Sequence, residues 1–230
     1  MQPVLIILHG ALGCREQFKD WKNALDEHYD CHLLDFSGHG SRSGEDASFS
    51  IEEFSQDLKI YIKQHNLKVV TVLGYSMGGY VALHAAMFNE GSISNIMTLA
   101  TKFDWNPESS KKEAGYLQPS LMQDKVPQLV EQLKKNHGDL HWGKVVKKTA
   151  EMMIHLGERP LITPGTAAQI KCKVKLCVGD KDKMVSVLET SAIYKNLPGS
   201  CFCVMPNTGH LPEKMSIERI KFELQEFLSS

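Results

Sequence analysis

Six short, near-continuous apolar runs constrain this chain more than any other feature. They fall at residues 4–8, 31–36, 69–73, 96–100, 174–178 and 201–205, and they are rich in Val, Ile and Leu. Alternation of apolar and polar residues would mark strands with one wet face. Continuous runs of this length instead predict strands buried on both faces, as in a parallel sheet. Helix-period stretches lie between them, at 18–27, 51–65, 78–89, 187–196 and 216–228. Strand–helix alternation of this kind predicts an open α/β sheet with helices on both faces. Right-handed crossovers then put the functional loops at the carboxyl ends of the strands.

The alternation breaks once. Residues 104–167 contain no strand run and are punctuated by Pro107, Pro119, Pro127, Pro160 and Pro164. The expected organisation is therefore a core made of 1–103 and 168–230, with 104–167 inserted before the last two strands as a helical cap or lid.

Composition excludes several function classes. Lys and Arg number 26 against 27 Asp and Glu, so there is no basic excess of the kind that binds nucleic acid or anionic lipid non-specifically. The 230 residues are 42% hydrophobic and 23% charged, ordinary globular usage. The opening run of five apolar residues is too short for a signal peptide or a membrane span, and no Asn-x-Ser/Thr site occurs. Six cysteines stand mostly inside apolar runs, as buried free thiols do, and a reduced, cytoplasmic chain is expected.

The chemistry is concentrated at strand ends. The third run leads into Gly74-Tyr75-Ser76-Met77-Gly78-Gly79. A serine nucleophile must stand on a tight strand-to-helix turn, where neighbouring backbone leaves room for glycine only. The amide that follows, of Met77, points where an acyl oxyanion forms, and the helix N-terminus favours that charge. At the end of the first run, His9-Gly10-Ala11-Leu12-Gly13 can bring the amide of Ala11 beside that of Met77 as a second oxyanion donor, with His9 as a structural residue fixing the loop. A base follows the last run in Met205-Pro206-Asn207-Thr208-Gly209-His210. Two aspartates compete as its orienting acid after the fifth run: Asp180 on the strand end, and Asp182 further into the loop. The chain order is Ser, Asp, His.

Taken together, His9-Gly10-x-x-Gly13, Asp35-x-x-Gly38-His39-Gly40-x-x-Ser43, the Ser76 elbow, Gly179-x-x-Asp182 and Gly209-His210 resemble the α/β-hydrolase fold superfamily across nearly the whole length. The resemblance implies a Ser76–His210–Asp182 triad, favouring Asp182 over Asp180, with Ala11 and Met77 as oxyanion donors. It implies a serine hydrolase acting on a small or medium acyl ester or thioester, needing neither metal nor organic cofactor. A triad-dependent lyase or perhydrolase is the alternative, and a non-catalytic binding protein on the same fold a third. The partner is a small-molecule acyl substrate, with an acyl-carrier protein or coenzyme A conjugate as a weaker expectation, drawn from Lys134, Lys135, Lys144, Lys147 and Lys148 opposed only by Asp139.

Other motifs read as structure. Gly38-His39-Gly40-Ser41-Arg42-Ser43 is expected to form a turn rather than a dinucleotide loop. His137 and His141, four apart, are expected on a solvated surface rather than on a metal. Trp105, Tyr116 and Trp142 are candidates both for a pocket lining and for packing within the cap.

Overall fold

A computed structural model describes residues 2–88 and 91–229. The apolar runs form one six-stranded sheet: β1 (Val4–Leu8), β2 (Asp30–Leu34), β3 (Val70–Tyr75), β4 (Ile93–Leu99), β5 (Lys173–Gly179) and β6 (Cys201–Met205). The order is β2-β1-β3-β4-β5-β6 and every neighbouring pair is parallel. From β1 the chain steps out to β2 and returns on the other side as β3. The sheet therefore changes winding direction between β1 and β3, where a crevice opens beyond the strand ends.

Both faces are buried because successive side chains point to opposite sides. Ile6 and Leu8 of β1 join one apolar core, while Leu5 and Ile7 join the other. The first core receives helices α2 (Ile51–Gln64) and α3 (Met77–Met87). The second receives α1 (Lys19–Leu25) and the last helix. Ile51, Phe54, Leu58 and Ile62 of α2 recur at helical spacing and are buried, and Ser50 caps its N-terminus by accepting from the amide of Glu53 at 3.1 Å.

Between β4 and β5 lie α4 (Pro107–Gly115), α5 (Pro119–Lys125), α6 (Pro127–His137), α7 (Trp142–Glu158) and α8 (Pro164–Ala167), then α9 (Val187–Tyr194) and α10 (Ile217–Ser229) flank the final strands. Four of the prolines that punctuate this stretch are helix starts, where a missing N–H costs nothing. Met122, Val130, Leu133, Trp142 and Val146 give the segment an apolar cluster of its own, and Leu12 from the loop after β1 packs against it.

The element boundaries depart from the sequence pattern in instructive places. Of the stretch 18–27, Phe18 closes a 3₁₀ turn that starts at Arg15, and α1 occupies Lys19–Leu25. β4 begins at Ile93, three residues earlier than its apolar run, because Ile93 and Asn95 pair with β3 across a bulge at Ser94, and neither polar residue contributes to the hydrophobic signal. β2 ends at Leu34 because Asp35 and Phe36 already belong to the following loop. The expected helix end at Asn89 lies outside the described residues. Among the described residues no helix is long and apolar enough to cross a membrane. All six cysteines are free thiols.

Candidate active site

Ser76 sits between β3 and α3 with φ 50° and ψ −116°, a backbone region that side-chain-bearing residues enter only under constraint. The constraint is close packing. A Cβ on Gly74 would lie 2.5 Å from the Cα of Gly79, and one on Gly78 would lie 2.6 Å from the carbonyl of Leu8. Glycine at both positions lets the elbow press against β1 and present the serine at the head of α3. Parallel pairing of Leu8 with Gly74 then sets the loop after β1 beside the elbow. Ala11 and Met77 accordingly line the same cavity as Ser76.

His9 is fully buried: its Nε2 accepts from the amide of Phe36 at 3.2 Å and its Nδ1–H donates to the carbonyl of Gly10 at 2.9 Å. Burial lowers its pKa to about 4, so the ring is neutral and serves as a brace between β1 and the loop after β2.

His210 and Asp182 come from the ends of adjacent strands. His210 follows β6, and its Nδ1–H donates to Asp182 Oδ2 at 2.8 Å. Asp182 Oδ1 accepts from the amides of Met184 at 2.8 Å and Val185 at 2.9 Å, so both carboxylate oxygens are engaged and the side chain is fully shielded from solvent. Burial pushes its pKa up, but the bond and charge of His210 and the two amides outweigh it and hold the carboxyl below its usual range. Asp180 faces elsewhere: its Oδ1 accepts from the amide of Thr208 at 3.1 Å and fastens the turn that precedes His210. On the other side, the Tyr75 hydroxyl donates to the carbonyl of His210 at 3.0 Å, tying the loop that carries His210 to the residue before Ser76. Neither fastening was legible in the sequence, which carries no signal for a bond spanning 135 residues.

Ser76 and His210 open into a cavity of about 540 Å³, walled mainly by apolar side chains. Trp105, Leu117, Leu133, Met153 and Leu156 supply much of the wall from the α4–α8 segment, and Tyr116 stands at the exposed mouth. The volume and lining suit a small apolar ligand with few polar anchors. Trp142, by contrast, belongs to the apolar cluster of the helical segment.

A family model described as the alpha/beta hydrolase fold matches residues 3–149. The chain belongs to the α/β-hydrolase fold family. Among curated relatives, this α/β-hydrolase is 28% identical over 126 residues to a pimeloyl-[acyl-carrier protein] methyl ester esterase of Vibrio cholerae, covering 55% of this chain and 46% of that one. A protein of the same name from Edwardsiella ictaluri is 32% identical over 97 residues, covering 42% and 36%. The chain thus spans less than half the length of these relatives. The fold resembles that of an enol-lactonase from Burkholderia xenovorans, with TM-score 0.80 and 14% identity, covering 100% of this chain and 92% of that one. It also resembles a thermophilic esterase from Thermogutta terrifontis, with TM-score 0.77 and 21% identity, covering 100% and 90%.

Two expectations need correction. His137 is not on a solvated surface; it is 1% exposed and bonded at both ring nitrogens. The lysine cluster is not opposed by Asp139 alone, because Lys134 pairs with Glu131 at 2.7 Å and Lys144 and Lys148 reach Asp46 at 2.9 and 3.4 Å. The partners of His137 and the Asp46 that meets Lys144 and Lys148 lie about a hundred residues away in sequence, whereas Glu131 is a local partner one turn before Lys134. The stretch around Gly38 does form a turn, leading into a 3₁₀ turn at Gly40–Arg42. Among the described residues no group of three or more metal-ligating side chains is arranged around a common point.

Proposed function

We propose that this α/β-hydrolase is a serine hydrolase that cleaves a small or medium acyl ester or thioester through an acyl-enzyme. The observation that carries it is the 2.8 Å bond from His210 to the doubly anchored Asp182, on the cavity that also holds Ser76. In this mechanism Ser76 Oγ attacks the acyl carbon while His210 Nε2 takes its proton. The amides of Ala11 and Met77 hold the oxyanion, and neither meets a protein acceptor among the described residues. Collapse breaks the bond to the alkoxide or thiolate, which leaves with the proton from His210. Water then attacks the acyl-enzyme, giving its proton to His210, and the carboxylic acid departs as Ser76 recovers its hydrogen. Asp182 keeps the imidazole in the Nδ1–H tautomer and stabilises the imidazolium.

The division into a core of 1–103 and 168–230 and a cap of 104–167 belongs to this proposal, the cap walling the acyl site from water. An acyl group on a carrier protein or coenzyme A is one member of the substrate class, and the names of the relatives favour it. Free thiols at all six cysteines are compatible with a reducing, cytoplasmic setting. A panel of acyl esters and thioesters of graded chain length tests the proposal on the wild type and on Ser76→Ala. Turnover that peaks at one chain length and falls by several orders of magnitude in Ser76→Ala is expected. Wild-type turnover by Ser76→Ala would overturn it.

A further inference from the structure

We propose that His137, at the C-terminal end of α6, is a positioning residue for the oxyanion hole, so that the hole is complete only while the α4–α8 segment is seated on the core. This rests on the reading of Ala11 as an oxyanion donor. The geometry is specific. His137 Nε2–H donates to the carbonyl of Leu12 at 2.9 Å, and His137 Nδ1 accepts from the amide of Gly40 at 3.0 Å. Two opposite roles at the two nitrogens fix a single neutral tautomer. A protonated ring would carry N–H groups at both positions and lose the Gly40 bond. Burial disfavours that charge and lowers the His137 pKa, so both bonds persist at neutral pH.

Leu12 is where the bond matters. Its φ is 60°, in the left-handed region that leucine rarely occupies, so outside contacts must hold it there. Three contacts are visible. The amide of Gly13 donates to the carbonyl of Gly10 at 3.0 Å and closes the turn. The Leu12 side chain packs on the apolar cluster of the helical segment. His137 holds the Leu12 carbonyl itself. Ala11 is the residue immediately before Leu12, so the torsions that place the Leu12 carbonyl are next in line to those that aim the Ala11 amide. Two of the three contacts come from the α4–α8 segment. Unseating that segment releases Leu12 and lets the Ala11 amide swing away from the elbow, which couples closure over the cavity to assembly of the catalytic donors.

The test uses side-chain length on the full-length protein. Gln places an amide N–H near the position of Nε2, whereas Asn reaches only the position of Nδ1 and can keep the Gly40 bond but not the Leu12 bond. The probe is an alkyl fluorophosphonate, whose phosphoryl oxygen occupies the oxyanion site as Ser76 is labelled; the readout is the second-order labelling rate, beside the melting temperature. His137→Asn is expected to slow labelling by roughly 10–100-fold, less than the ~10²–10³-fold cost of deleting an oxyanion donor outright. On an ester substrate it should lower kcat with little change in KM. His137→Gln should label within about threefold of wild type.

Equal slowing in Asn and Gln variants of matched melting temperature would overturn the inference, as would wild-type rates in both. If His137→Asn does not fold, His137→Gln decides: near-wild-type labelling supports the inference and a tenfold loss at unchanged melting temperature defeats it. Labelling that is absent in the wild type, or unchanged in Ser76→Ala, would instead remove the nucleophile itself. That outcome is distinct from a labelled wild type whose rate ignores position 137.

Discussion

Asp180 and Asp182 stand two residues apart on one loop and have different tasks. Asp182 spends both carboxylate oxygens on the His210 ring and on two local amides, whereas Asp180 holds the backbone of Thr208. Removing the acid of a serine-protease triad costs about 10⁴-fold in turnover. Asp182→Asn is therefore expected to lower kcat by a comparable factor. Asp180→Asn should lower it far less, since its loss loosens the turn before His210 but leaves the ring's partner in place. Steady-state kcat for the two variants on the best ester decides, and an equal or larger loss at Asp180 would contradict the assignment. At this scale the sequence was informative wherever chemistry demands a residue type at a fixed local spacing, as in the elbow around Ser76. It was silent on Tyr75, whose hydroxyl pins the His210 carbonyl, and misleading on His137. Their partners are set by tertiary approach, not by spacing.

The strands that lead into Asp182 and His210, β5 and β6, are adjacent and parallel, with Gly179 opposite Met205 at the site end. Farther from the site, α10 is bolted to β5 by a buried ion pair. Lys175 is 4% exposed and meets Glu223, itself 3% exposed; its ammonium also donates to the Glu223 carbonyl at 3.0 Å. Breaking one side of such a pair strands a charge, at a cost of about 3–5 kcal/mol, whereas apolar replacement of both partners is often neutral. Glu223→Ala should lose stability on that scale in urea denaturation, and Lys175→Met with Glu223→Leu should recover most of it. A double variant as unstable as the single one would show that packing, not charge, dominates there. All six strands were legible because parallel strands buried on both faces must be apolar. The polar start of β4 was hidden for the complementary reason, since Asn95 pairs with Thr71 through its backbone and Ser94 occupies the bulge beside it. Lys175 stands inside an otherwise apolar run, and the approach of α10, which supplies Glu223, explains it.

Across the whole molecule, three buried histidines join the core to the α4–α8 segment. The His9 and His39 ring centroids are 5.1 Å apart, and those of His39 and His137 are 5.8 Å apart. Desolvation lowers all three pKa values, His9 to about 4. The sign follows from linkage. In the unfolded chain these rings protonate near 6.5, while in the folded protein they stay neutral to lower pH. Their contribution to stability is therefore fully present above about pH 6.5 and is lost as the pH falls toward the folded values. Unfolding near pH 5.5 should take up about one proton for each ring that remains neutral when folded, measurable by calorimetry in buffers of different ionisation enthalpy. Unfolding at that pH without proton uptake would contradict the burial of neutral rings.

Rapid-quench mass spectrometry of the protein mixed with its best ester or thioester tests the proposed serine-hydrolase chemistry most directly. An acyl mass on the peptide carrying Ser76 is expected within the first turnover. It should be absent in Ser76→Ala and should accumulate in the wild type wherever deacylation is the slower step. Steady turnover of the same substrate by Ser76→Ala would contradict the mechanism.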